Sequence, residues 1–317
     1  MSAPTTPGAR WDSVYHAPVL VDEVSSLLRG YRAVLDCTLG GGGHSLALLE
    51  SGVERVTALD RDPDAIAAAR ARLTDYERKH RFRAILGNYA AVDEIPELRG
   101  ATFGGVLLDL GVSSHQIDDP ARGFSFREGA ALDMRMGSDA SDSAADVLNS
   151  RDERELIWIF KEYADEPRAV RLAREVVRRR QTRPFVTSDD LVGAIRAVLG
   201  PRAGPAEFAR IFQGVRIAVN DELQGLDRAL PRLRDRLEPG GTLAVIAYHS
   251  GEDRRVKLAL RDWSASCTCP PRQPVCTCRG RPLGRLLTRK ATAPTAEELA
   301  RNPRSRSAKL RAWRKGE

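Results

Sequence analysis

A chain of 317 residues with 42% hydrophobic content can bury a sizeable core, and more than one compact unit, which excludes a disordered segment or a disulfide-stapled miniprotein. The formal charge of +7 favours a polyanionic partner over a neutral small molecule. The polar opening MSAPTTPGARWDS lacks the apolar core of a secretory signal and no apolar stretch approaches a membrane span, so a cytoplasmic protein with no membrane partner is expected.

From residue 31 short apolar runs alternate with longer amphipathic ones, the pattern of strands joined through helices into a parallel sheet. The first strand, at 33–38, runs into LDCTLGGGGHS, where four consecutive glycines are followed by His44 and Ser45. Glycine loses more backbone freedom on folding than any other residue, so a run of four implies that something approaches a bare backbone. A glycine-rich turn after the first strand of an α/β sheet lets backbone amides and the next helix N-terminus meet a ligand.

The second strand, at 55–60, ends in Asp60, placed to accept a ribose hydroxyl. Two cofactor classes use such an acid, dinucleotides and S-adenosylmethionine. The dinucleotide fingerprint needs a small third residue in G-x-G-x-x-G/A, and Gly40-x-Gly42 puts Ser45 there. Asp36, just before the glycines, favours methyl transfer, since a carboxylate can neutralise the ammonium and sulfonium of S-adenosylmethionine. After the second strand DPDAIAAARARL reads as a capped helix, and a third strand is expected at 82–87.

The fourth strand, at 104–111, ends in Asp109, either capping the next turn or facing the site as an acceptor for an amine hydrogen. The passage that follows is rich in glycine, aspartate and serine and leads into helices near 152–164, 167–180 and 188–199, an inserted helical domain. Within it ARGFSFREG interleaves Arg122, Phe124, Phe126 and Arg127, guanidinium for phosphate and ring for a splayed base, unless the rings only fill a seam between domains. Arg171, Arg174 and Arg178 line a helix that is a solvated face or a phosphate-tracking one.

A helix over ARIFQGVRIAVNDELQGLDRALPRLRDRL then leads to a resumed strand at 241–250, where YHSGED adds His249 and Ser250 at the same sheet edge as proton acceptor and substrate contact. CTCPPRQPVCTC holds Cys267, Cys269, Cys276 and Cys278 in a C-x-C, C-x-C array that can bind one structural zinc or remain as thiols. A basic tail follows from about residue 279.

Taken in order, LDCTLGGGGHS, ALDRDPDAI, LLDLGVSSHQIDDPARGFSFREGAALDMRM, RIFQGVRIAVNDEL, LEPGGTLAVIAYHSGEDRRVK and RNPRSRSAKLR resemble the bacterial small-subunit rRNA cytosine-N4 methyltransferases, the RsmH or MraW family, over nearly the whole chain. The resemblance implies an α/β class I S-adenosylmethionine-dependent methyltransferase, a Rossmann-like doubly wound sheet with an inserted all-helical recognition domain. It implies methylation of the N4 of one cytidine in the decoding region (P site) of 16S rRNA in the small ribosomal subunit. Its cofactor contacts fall on Gly42, Gly43, His44, Asp60, Tyr89, Asp109 and Gln116. The expected organisation is 1–114 and 211–278 for the methyltransferase domain, 115–210 for the insertion and 279–317 for the tail. Gly41 departs from the family, which often has an arginine there, and Gly251 stands where a bulkier residue is usual. Two alternatives to the enzyme are a noncatalytic ribosome-assembly factor that keeps the cofactor fold and a dinucleotide-dependent oxidoreductase. The oligomeric state stays open, a homodimer among the choices.

Overall fold

In the computed structural model residues 10–13, 17–270, 273, 275 and 277–317 are described. The chain divides into two compact units, Met1–Gly111 with Gln224–Glu317 and Val112–Leu223. The first unit opens with α1 (Val21–Leu28), β1 (Ala33–Asp36), α2 (Gly43–Glu50), β2 (Arg55–Asp60), α3 (Pro63–Arg72), α4 (Thr74–Arg78), β3 (Phe82–Leu86) and β4 (Phe103–Asp109). β1 and β4 are near-continuous apolar runs because both their faces are covered. α3 starts where the sequence predicts: the Asp62 carboxylate accepts the Asp64 N–H at 3.1 Å and Pro63 occupies the first helical position.

The second unit carries α5 (Ser114–Asp118), α6 (Ala144–Ser150), α7 (Glu153–Trp158), a π-helical turn at Ile159–Tyr163, α8 (Ala169–Arg180), α9 (Ser188–Leu199) and α10 (Pro205–Asn220). Its core is its own, built on residues such as Leu148, Phe160, Leu172, Ile195, Ile211 and Val215. The insertion therefore extends beyond the expected 115–210. Phe208, Ile211, Phe212, Val215 and Val219, all on α10, belong to that helical core, and this periodic apolar face carries α10 into the helical unit. The long helix expected after it is two helices, because Asp221 adopts a left-handed φ of 50° between α10 and α11 (Glu222–Asp235).

The first unit resumes with β5 (Leu237–Ala247), α12 (Ser250–Ser264), β6 (Gly284–Leu286), α13 (Ala296–Arg301) and β7 (Lys309–Lys315). The strands form one sheet in the order β3-β2-β1-β4-β5-β7-β6. β1 through β5 are parallel, and β7 runs against β5 from Thr242↔Arg314 to Ala247↔Lys309. Residues 279–317 are thus no mere tail. Their basic composition hid the apolar positions Leu310, Ala312 and Trp313, which are buried to 1% exposure or less and let the chain end close the sheet. Alternate side chains separate onto two faces: Leu35, Val106 and Val245 pack in one cluster and Val34, Leu107 and Ile246 in the other. Chain order reverses between β1 and β4, so the crevice beyond their carboxyl ends is the switch point at which such sheets bind ligands.

Candidate active site

Three carboxylates end the strands around that crevice. Asp36 ends β1, Asp60 ends β2 and Asp109 ends β4. Asp60 holds the glycine turn: its Oδ2 accepts the Gly40 N–H at 2.8 Å and its Oδ1 the Asp62 N–H at 2.9 Å. Burial pushes its carboxyl up to about 6 against these two bonds. Asp36 is fully buried, with the Ser45 hydroxyl donating to Oδ2 at 2.7 Å and the Thr38 N–H to Oδ1 at 3.2 Å. The sequence suggested Asp36 as a carboxylate near a cationic ligand, and its burial and two donors put it beneath the turn, where it also acts on His44.

The glycines divide their work. Gly42 sits at a φ of 76° as the N-cap of α2, a conformation costly for a side chain. Gly43 permits close approach, since a Cβ there would stand 2.9 Å from the Pro18 ring. A Cβ at Gly40 would meet nothing within 4 Å, which leaves open space beside the Asp60 carboxylate. The Gly41 carbonyl accepts from Arg72 at 3.3 Å, and the same guanidinium donates to the Trp11 carbonyl at 2.6 Å. A cation thus reaches the turn from α3, although Gly41 itself brings none.

His44 and Asp109 meet across the turn, His44 Nε2 lying 3.3 Å from Asp109 Oδ2 with side-chain exposures of 5% and 9%. That contact is short enough for an ion pair but poorly aligned for a hydrogen bond, and both ring nitrogens are buried with no aligned partner among the described residues. Burial opposes the imidazolium, yet Asp109 and Asp36 outweigh it and raise the ring's pKa. On the far side the Tyr248 hydroxyl donates to Asp109 Oδ1 at 2.9 Å, while the Thr38 hydroxyl oxygen accepts the Asp109 N–H at 2.6 Å. Burial, then the Asp109 charge, pushes the Tyr248 phenol well above its ordinary value, so it remains a donor. A buried imidazole with no aligned hydrogen bond at either nitrogen, open space at Gly40 and spare lone pairs on Asp60 fit a polar ligand carrying hydroxyl groups.

Other expected site residues have local work of their own. Tyr89 follows β3 in a short 3-10 turn and packs against the sheet core. His249 caps α12: its Nδ1 accepts the Gly251 N–H at 3.2 Å, and its Nε2 lies 3.2 Å from Glu252 Oε1. Ser250 is the exposed first residue of that helix. In the helical unit Gln116 is buried and closes a capping box, its Oε1 accepting the Ser113 N–H at 2.9 Å. Arg122 donates to the Arg135 and Met136 carbonyls, and its guanidinium lies 5.9 Å from the Phe124 ring centre. Phe126 stands edge-on to Phe208 and Phe212, which makes it a packing residue of the helical core. Arg127 pairs with Asp118 at 3.1 Å. The Sγ atoms of Cys267, Cys269 and Cys278 lie within 4.8 Å of one another, and none of the described cysteines is in a disulfide. Cys276 lies outside the described residues.

Tyr248, Thr38 and Arg72 were not singled out from the sequence. Period-two alternation could have found the tyrosine, because Asp109 pairs with Ile246 and Tyr248 lies two residues further on the same face. Arg72 had no such signal, since its target is a carbonyl.

With this geometry in place, comparison with known proteins is decisive. The model of the MraW methylase family matches residues 13–316. A Gemmatimonas aurantiaca protein named ribosomal RNA small subunit methyltransferase H is 66% identical over 300 residues, covering 95% of each chain. One of the same name from Heliobacterium mobile is 44% identical over 310 residues, covering 95% of this chain and 99% of its own. Membership in a methylase family removes the dinucleotide oxidoreductase alternative, and the seven-stranded sheet with its reversed β7 is a class I methyltransferase fold. Matched almost from end to end, the chain belongs to the MraW methylase family.

Proposed function

We propose that this enzyme uses S-adenosylmethionine to methylate the exocyclic N4 of one cytidine in the decoding region (P site) of 16S rRNA, acting in the cytoplasm on the small ribosomal subunit. The relatives' printed name supports a small-subunit rRNA substrate. The observation that carries the chemistry is Asp109, a carboxylate fixed from both sides at the switch point of the sheet. When bound, S-adenosylmethionine supplies an electrophilic methyl group. Gly42 and Gly43 let the turn approach it, Asp60 accepts from the ribose hydroxyls, Tyr89 covers the adenine, and His44 and Gln116 add polar contacts. A cytosine amine is a weak nucleophile because its lone pair is delocalised into the ring. Asp109 accepts one of its hydrogens and takes the proton released as the new bond forms.

His249 caps α12 through Nδ1, and its buried Nε2, 3.2 Å from Glu252 Oε1 and without a hydrogen-bond partner among the described residues, is the second proton acceptor of this reading beside Asp109. Ser250, Arg122, Arg127 and Phe124 are the RNA contacts, with Phe126 supporting Phe124 from the helical core. A structural zinc held by Cys267, Cys269, Cys276 and Cys278 completes the assignment, supported by the convergence of three of the four sulfurs. Incubation with tritiated S-adenosylmethionine and small subunits from a strain lacking the modification tests the function. Label should enter 16S rRNA as N4-methylcytidine. Label absent, or on another nucleoside, would overturn it.

A further inference from the structure

Asp109 is held more firmly than a strand end requires. The Tyr248 ring packs beside Gly111, where a Cβ would stand 3.3 Å from it, and the Tyr248 N–H donates to Glu252 Oε2 at 2.8 Å. Its hydroxyl is thereby delivered to Asp109 Oδ1 at 2.9 Å, while Thr38 fixes the Asp109 main chain and His44 faces Oδ2. A carboxylate pinned at one oxygen cannot turn about its Cβ–Cγ bond without breaking that bond, so the second oxygen keeps a set direction.

We propose that Tyr248 is a positioning residue for methyl transfer, its hydroxyl orienting the Asp109 carboxylate so that Oδ2 faces a hydrogen of the attacking exocyclic amine. This rests on the reading of Asp109 as acceptor. In the step the amine lone pair forms the new N–C bond, the C–S bond breaks with its electrons passing to sulfur, and one N–H proton passes to the carboxylate. Tyr248 itself exchanges no proton. A misplacement of ~1 Å at a reacting group can cost ~100-fold in rate, so losing the hydroxyl should be felt in turnover rather than in binding.

Tyr248→Phe removes the hydroxyl alone, keeping the ring and its main-chain bond. The expected result is a ~10- to 100-fold fall in kcat, with KM for S-adenosylmethionine and affinity for S-adenosylhomocysteine close to wild type. Tyr248→Phe combined with Asp109→Asn should be no slower than Asp109→Asn alone, since the hydroxyl acts only through that carboxylate. Replacement of Tyr248 by 3-fluorotyrosine keeps the hydroxyl and should restore turnover, which also covers a Tyr248→Phe protein that fails to fold. Wild-type kcat in Tyr248→Phe, fully additive losses in the double variant, or no rescue by fluorotyrosine would overturn the role. A wild-type enzyme that labels no cytidine would sink the functional reading and this role with it, and that inactivity is seen before any substitution is made.

Discussion

His44 Nε2 stands 3.3 Å from Asp109 Oδ2, and this buried imidazole has Asp36 as a second acid near it. Burial favours the neutral ring, but the two carboxylates outweigh it, so the folded pKa lies above the ordinary 6.5. A histidine with a raised folded pKa contributes stability that is fully present below its unfolded value and is lost as pH rises through its folded one. The His44 resonance should titrate above 6.5 by NMR, and Asp109→Asn should move it down and flatten the loss of thermal stability over that range. A wild-type midpoint at or below the ordinary value would contradict the pairing.

Asp109→Asn keeps the side chain's size and its place beside Tyr248 but removes the charge and the proton acceptor. Loss of a general base typically costs ~100- to 10,000-fold, so kcat for subunit methylation should fall into that range. A variant within ~3-fold of wild type would mean that water takes the proton.

The proposed ribose contact of Asp60 makes cofactor binding depend on pH. Burial raises its carboxyl to about 6, so on folding it contributes stability below its ordinary 3.8 that is lost as pH rises through about 6. Accepting two ribose hydroxyls needs the ionised form, so ligand binding and protonation compete. Affinity for S-adenosylhomocysteine should weaken as pH falls below about 6, and calorimetry near that pH in buffers of different ionisation enthalpy should detect proton release on binding. Asp60→Asn should bind weakly with no such dependence. A wild-type affinity flat from pH 5 to 8 would remove Asp60 from the ribose.

Much of this site was legible because strand ends and glycine turns leave local marks. Asp36, Asp60 and Asp109 each close an apolar run, and a doubly wound sheet brings such ends together whatever the loops do. What was not legible depends on partners distant in sequence. Period-two alternation puts Tyr248 on the face of the site, but nothing in YHSGED announces that its partner there is Asp109, 139 positions away. Phe126 has the same local context as Phe124 and both pack against the helical core, but only α10, whose Phe208 and Phe212 meet the Phe126 ring edge-on, tells the two apart. The last strand was missed for a different reason: in KLRAWRK charge dominates composition, while Leu310 and Trp313 decide burial.

The cysteine array gives a metal prediction. Three sulfurs lie within 4.8 Å of one another, which is compatible with one shared ion, and the proposed zinc takes Cys276 of the second C-x-C as its fourth ligand. Protein purified under reducing conditions without added metal should carry about one zinc per chain, and Cys267→Ser should lower that content. Less than half an equivalent in the wild type, with four titratable thiols at this array, would rule the site out.

Gly123 lies at a φ of 71° between Arg122 and Phe124, the two residues proposed as RNA contacts. A Cβ there would stand 2.2 Å from the Ala131 carbonyl oxygen and 2.8 Å from the Asp133 nitrogen. Those atoms cannot easily retreat: Ala131 is bridged to Thr187, and the Asp133 carbonyl accepts the Ala144 N–H at 2.7 Å. Gly129 has a similar φ of 73° but open space where its Cβ would go, so Gly129→Ala should cost only the left-handed penalty of about 1–2 kcal/mol. Gly123→Ala adds the clash and should cost about 1–3 kcal/mol more in urea unfolding of the full chain. On the proposed RNA role of the segment, Gly123→Ala should also raise KM for the subunit by more than it weakens S-adenosylhomocysteine, because the glycine turn and Asp60 belong to the other unit and only Gln116 of the proposed cofactor contacts shares a unit with Gly123. Equal stability losses in the two variants would refute the clash. An unchanged KM for the subunit would place Arg122 and Phe124 away from the RNA.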